Sequence, residues 1–273
     1  MNIYVYNINI KLGGEMENNK FEMFRFRLAE GATHINIPPT KVKFGFTLAE
    51  VLITLGVIGV VAAMTIPTLM ANHQKKQTVV KLQKAISVMN QAYRLAYDDV
   101  GEATPDEART IGAEGYFNKF WAPYLKTSSF CNQIGCGYDM KGVAVYGQPW
   151  KKPSGAWYPI QLNSNETRIG LFTMDNFFYL ITCAVGGTPE SMITSASIFV
   201  DINGTAKPNV FGRDVFVLER KIDGEKGGVV LPSCSTYSDD SINVSCSKSG
   251  GGGCCAEKIK RAGWRIDKSY PWK

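Results

Sequence analysis

The chain has 273 residues, with 30 Lys and Arg against 24 Asp and Glu, seven cysteines and two histidines. That length accommodates one membrane helix and one medium domain, and so mild a positive balance does not indicate a nucleic-acid partner. His34 and His73 both lie before residue 74, so the rest of the chain lacks the imidazole that Ser-His or Cys-His nucleophilic catalysis requires, and no enzyme is expected there.

Residues 1–45 hold six basic and four acidic side chains, among them Arg25, Arg27, Lys41 and Lys43 just ahead of an apolar run. Positive charge beside a membrane helix tends to stay in the cytoplasm. Pro38-Pro39 makes this segment extended rather than helical, and Met16 and Met23 offer alternative starts. From Val51 to Asn72 there are 22 residues with no charged side chain. About 20 residues of helix cross the hydrocarbon core of a bilayer, so a transmembrane helix is expected. A signal peptide would place small residues and its cleavage site after such a run. Here Gly45 precedes it.

Gly45-Phe46-Thr47-Leu48-Ala49-Glu50, the apolar run and Pro67 together resemble the N-terminus of a type IV prepilin or type II secretion pseudopilin. The resemblance covers about 26 residues and implies a bacterial filament subunit. It implies a cytoplasmic leader of residues 1–45, cut by a prepilin peptidase between Gly45 and Phe46 with N-methylation of Phe46. It further implies a single pass through the inner membrane with the C-terminal domain outside, delivery by an inner-membrane assembly platform, and polymerisation with copies of itself or with other pilins. In the family the acid equivalent to Glu50 pairs with the N-terminal amine of a neighbouring subunit during assembly. From the residues alone, Glu50 also reads as an acid in the first turn that suits the helix dipole. Pro67 reads either as a kink or melting point within the helix, as in related pilins, or as a membrane-exit residue that ends it.

Beyond the run, Val79, Leu82, Ile86, Met89, Tyr93 and Ala96 recur at steps of three and four, the signature of one buried helix face. One helix over 46–98 is therefore expected, apolar throughout in 46–70 and amphipathic in 71–98. It would be about 80 Å long at the helical rise. Gly101 ends it, and Thr104-Pro105-Asp106-Glu107 reads as the start of another helix. Tyr116, Phe117, Phe120, Trp121 and Leu125 suggest a short helical segment, interrupted by Pro123.

The domain of residues 99–273 then turns to strands. Segments 170–174 and 177–182 flank Asp175-Asn176 as a hairpin, and 197–200 and 214–218 make two more. Short connections predict an antiparallel sheet of about four strands laid on the amphipathic half-helix. The fold class is thus α+β, pilin-like, with a cysteine-rich C-terminal tail. Between the last two strands lies VDINGTAKPNVFGRDVF, with Asp201, Asn203 and Asp214 around a glycine-bearing loop. This segment resembles one in pilin-like proteins, some of which hold calcium there. Asp and Asn also favour turns on their own account, so a plain turn and a calcium site are both open, and no other cofactor is expected.

Seven cysteines without a CxxC pair point to disulfides outside the cytosol. Cys131 and Cys136 close a short loop, worth about 2 kcal/mol by the chain-entropy estimate. Cys234 and Cys246 are expected to pair with Cys254 and Cys255 in either order, leaving Cys183 as a buried free thiol. A short helix over 256–262, stopped by Gly263, precedes Trp264, Tyr270 and Trp272, which pin the terminus to the domain or lie exposed for a partner. The function expected is a structural subunit of a type IV pilus or type II secretion pseudopilus. The alternative is a membrane-anchored module that captures DNA, a surface or a secreted protein.

Overall fold

The computed structural model describes residues 45–102, 105–131, 136–138, 149–158, 160, 168–182, 196–221 and 228–272. The leader up to residue 44, Thr104 and Cys183 lie outside the described residues. The chain divides into two compact units, residues 1–58 and 59–273. In the first, Gly45, Phe46 and Thr47 are non-helical and lead into α1, Leu48–Val100.

α1 has 53 residues, the length expected, displaced by two positions. Its N-terminus is fixed by Thr47 and Glu50. The Glu50 carboxylate accepts from Thr47 N (2.8 Å) and Thr47 Oγ1 (2.9 Å), and Glu50 N donates back to Thr47 Oγ1 (3.2 Å). This is a capping box, which satisfies two otherwise orphaned backbone donors. At the other end Gly101 adopts φ 72° and donates its N–H to Tyr97 O at 3.0 Å, the left-handed stop that glycine enters without a Cβ penalty. Pro67 does not end the helix, which runs on through it. The exit reading is thereby corrected: the turns on either side hold the helix despite the missing N–H.

The second unit is built on a six-stranded antiparallel sheet in which spatial order equals chain order. The strands are β1 Thr127–Cys131, β2 Arg168–Thr173, β3 Phe178–Thr182, β4 Ala196–Asp201, β5 Val215–Lys221 and β6 Val229–Pro232. The expected count of about four is corrected by β1 and β6, the two edges. β1 is short and polar, TSSFC, with three exposed residues. β6 ends in Pro232, which an edge strand tolerates because its N–H is not needed on the free side.

The central strands are apolar on both faces, because both faces are covered. Leu171, Tyr179, Ile181, Ile198, Val200, Phe216 and Leu218 join the core that contains α1 residues Val79, Leu82, Ala85, Met89, Ala92 and Tyr93. The predicted stripe is therefore buried, with Ile86 only partly so and Ala85 and Ala92 added. The opposite face carries Phe178, Leu180, Phe199, Val215 and Val217 under Trp150, Tyr138, Ile160 and Phe211. Trp150 is fully buried and stacks on Phe199 at 5.9 Å between centroids. This second core was not anticipated.

Asn90 on α1 clasps the far edge of the sheet. Its Nδ2 donates to Val230 O (2.7 Å), and its Oδ1 accepts from Val230 N (2.8 Å), as a neighbouring strand would. α2 Pro105–Phe120 bends at Gly112, and a 3-10 turn, Ala122–Tyr124, takes up Pro123. The tail holds two further short helices, α3 Asp239–Ser245 and α4 Cys255–Arg261.

Candidate functional site

Three parts of the molecule carry the predicted site residues. The first is the helix start. Phe46 is 87% exposed, and Gly45 has nothing within 4 Å of the position a Cβ would take. The bond between them thus lies in open, non-helical chain two residues before α1. Every residue from Val51 to Met70 except Ala62 is exposed. An apolar window in α1 has mean hydropathy 2.2 with none of its residues buried, long enough to cross a membrane. Exposed Leu, Ile and Val on all sides of a helix are stable in lipid and costly in water. α1 is thus long and apolar enough to cross a membrane. Glu50, the only charge on its first two turns, is held by its own cap. The Thr-x-x-Glu spacing was visible in the sequence and is the signal that identifies that cap.

The second part is the connection from β4 to β5. It brings Asp201, Asn203 and Asp214 together although Asp201 and Asp214 are thirteen positions apart. Asp214 is 4% exposed and accepts from Val210 N (2.6 Å), Asn209 N (2.8 Å) and Asn203 Nδ2 (3.3 Å). Asp201 is fully buried and accepts from Asn203 N (3.3 Å) and the Tyr138 hydroxyl (3.1 Å). Burial pushes the Asp201 carboxyl well above its usual range, and the nearby Asp214 charge adds to this. Burial raises Asp214 too, against the backbone N–H groups that lower it. Tyr138 and Asn209 belong to this cluster and were not foreseen.

The cluster is a hydrogen-bonded turn first. Its carboxylates meet N–H and O–H donors, and among the described residues no three His, Cys, Asp or Glu side chains converge on one point. One observation fits a cation: Asn203 Oδ1 is buried with no hydrogen-bond partner, beside two desolvated carboxylates. These are three hard oxygen donors, of the kind calcium takes, and they fall short of its six to eight ligands unless backbone carbonyls or water complete the shell.

The third part is the disulfide-braced tail. The bridges are Cys131–Cys136, Cys234–Cys254 and Cys246–Cys255, which resolves the order that the spacing left open. Cys255 lies against Gly212, where a Cβ would meet its Sγ at 2.7 Å, and Gly212 sits at φ 82°. Only glycine combines that backbone with that contact. The Tyr270 hydroxyl donates to Gly212 O, while Trp264 and Trp272 pack on the core. Of the two readings left open, the tail is pinned to the domain.

The chain was compared with protein-family models, with curated proteins and with solved structures, and nothing matches it in any of the three.

Proposed function

We propose that the chain is a type IV pilin-like structural subunit of a pilus or type II secretion pseudopilus. In this reading a prepilin peptidase cuts between Gly45 and Phe46, Phe46 is N-methylated, and subunits polymerise through the apolar half of α1. The leader is cytoplasmic and the disulfide-bearing domain lies on the far side of the inner membrane. The observation that carries the reading is the junction at the helix start. An exposed Gly45-Phe46 bond stands immediately before a capped helix that is apolar all round, so a membrane peptidase can reach the glycine and leave the helix intact.

The capping box gives Glu50 a physical role in this scheme. In the free subunit its carboxylate is satisfied by Thr47. In a filament an N-terminal amine of a neighbour offers a charged donor in lipid, where an unpaired carboxylate is costly. Exchanging the cap for that amine neutralises both groups at once. Should calcium bind the domain, Asp201, Asp214 and Asn203 Oδ1 are the residues that would hold it, and it would offset the charge buried between the two carboxylates.

Mass spectrometry of the mature protein tests the cleavage and is expected to find N-methyl-phenylalanine at Phe46. An N-terminus at residue 1, or a cut after the apolar run, would sink the proposal. Glu50→Val should abolish incorporation into filaments while leaving the domain folded. Unchanged assembly would favour an anchored binding module instead.

A further inference from the structure

We propose that the pocket between the end of α3, α4 and the last residues of the tail binds the phosphate group of a small soluble molecule. The site is separate from the helix start and from the β4–β5 connection, and it stands whether or not the chain is a pilin-like subunit.

The pocket has a volume of about 400 Å³, within the range of small-molecule sites. Its cations are Lys248 just after α3, Lys258 on α4 and Lys268 in the terminal segment, and no acid lines it. Lys258 is the fixed one. It is half-buried, and its Nζ donates to Cys246 O (3.5 Å) and Ser269 O (3.4 Å). An ammonium has three donors and no acceptor, so one N–H remains for a ligand. Lys248 and Lys268 are exposed and form the rim.

The acids of this region are engaged elsewhere. Arg261 meets Asp239 at 2.6 Å and Glu257 at 3.0 Å, and Lys260 meets Glu257 at 3.5 Å. The Asp267 carboxyl is held below its usual range mainly by Ser269, which donates to it through Oγ (2.7 Å) and N (2.8 Å), with the Lys258 charge a lesser cause. Asp240 sits in the first turn of α3, at the opposite end of that helix from Lys248. Among the described residues no carboxylate forms an ion pair with Lys248, Lys258 or Lys268. Three ammonium groups around one space repel one another, and a multiply charged anion between them removes that repulsion.

The kind of cation selects the kind of anion. Arginine forks match planar carboxylates bidentately, whereas lysine is a compact point charge suited to phosphate. All three cations of the pocket are lysines. The space exceeds one phosphate group, and Tyr270 and Pro271 add apolar lining, which suits an organic part beside the phosphate. Because the end of α3, α4 and the terminal segment all contribute, a bound phosphate adds a tie between that segment and the two helix ends joined by Cys246–Cys255.

The full chain, in detergent and phosphate-free buffer, is titrated with pyrophosphate by calorimetry, and its lysines are pulse-acetylated and read by peptide mass spectrometry. Pyrophosphate should raise Tm with concentration, and at about twice its Kd should slow acetylation of Lys248, Lys258 and Lys268 about threefold, with Lys76 and Lys81 unchanged. The double variant Lys248→Gln, Lys268→Gln changes only exposed side chains and should weaken binding about tenfold, through lost charge-assisted contacts. Lys76→Gln with Lys81→Gln removes the same charge from α1 and should leave the affinity intact. Absence of both heat and protection, or equal weakening by the two double variants, would overturn the site. Protection found only in nanodiscs containing phosphatidylglycerol would overturn the soluble ligand in favour of a lipid headgroup. Protection by a short DNA duplex and not by pyrophosphate would overturn it in favour of nucleic acid.

Discussion

From Val51 to Met70 nearly every side chain of α1 is exposed, whereas from Thr78 to Ala96 eight residues of the same helix are buried against the sheet. Both stretches are rich in apolar residues, and neither is interrupted in its hydrogen bonding except at Pro67. What separates them is periodicity. The first stretch has no polar face and is matched to lipid. The second sets Lys81, Lys84, Gln91 and Arg94 opposite Leu82, Met89 and Tyr93 and is matched to a protein core on one side and water on the other. One continuous helix thus has two compositions, and the boundary is marked by where the polar face begins.

Paired truncations should break this contrast most sharply. Met89→Ala removes a fully buried side chain from the shared core and should cost about 2–5 kcal/mol. Val60→Ala, at a position 57% exposed, should cost the domain less than about 0.5 kcal/mol. Denaturant unfolding of the detergent-solubilised chain, followed by tryptophan fluorescence, would read both. Equal losses would mean that the apolar half also packs on the domain.

The tail that packs beside the amphipathic half comes next in size. Cys255, Ala256 and Ile259 share the core with α1, and the Cys234–Cys254 bridge closes a loop of sequence separation 20. Replacing both of its cysteines by serine should lower stability by about 3 kcal/mol on the chain-entropy model. The same denaturation measurement applies, and the membrane half should not respond.

The smallest effect should come from the β4–β5 connection. Asp201 and Asp214 have folded-state pKa values above those of the unfolded chain. The folded protein therefore holds protons that the unfolded chain releases above about pH 4. Stability falls as pH rises through that window, because unfolding then releases protons. Tm should rise as pH is lowered from 8 to 5 through this pair, and Asp201→Asn should flatten the slope. Added calcium at pH 8 should raise Tm if the cluster binds it, and a Tm indifferent to calcium and chelator would leave the connection as a turn.

These contrasts also explain what was legible beforehand. α1, its buried stripe and its stop at Gly101 follow from local periodicity and from one glycine. The four central strands stand out as runs of Val, Ile, Leu and Phe. β1 and β6 did not, because an edge strand with one partner needs neither length nor alternation, and TSSFC has neither. The second core was invisible for another reason. Trp150 meets Phe178, Phe199 and Phe211, contacts made across long separations by a segment with no regular period of its own. At the candidate site, Gly45, Phe46 and Glu50 were legible from their order. Tyr138 beside Asp201 was not, since tertiary folding alone brings it there across 63 positions. The cysteine set and the Cys131–Cys136 bridge were readable; the order of the two tail bridges was not, because spacing alone does not choose between partners.

Because each strand pairs with the strand before it in the chain, the sheet can be extended one hairpin at a time. A chain that emerges N-terminus first presents its strands in that same order. Each new strand finds an edge already waiting, so little chain entropy is lost in closing each contact. The tail closes last, reaching back from Tyr270 to Gly212 and from Cys255 to its place beside the same glycine. Docking of the tail onto Gly212 therefore ties the end of the chain back to a strand connection formed before it.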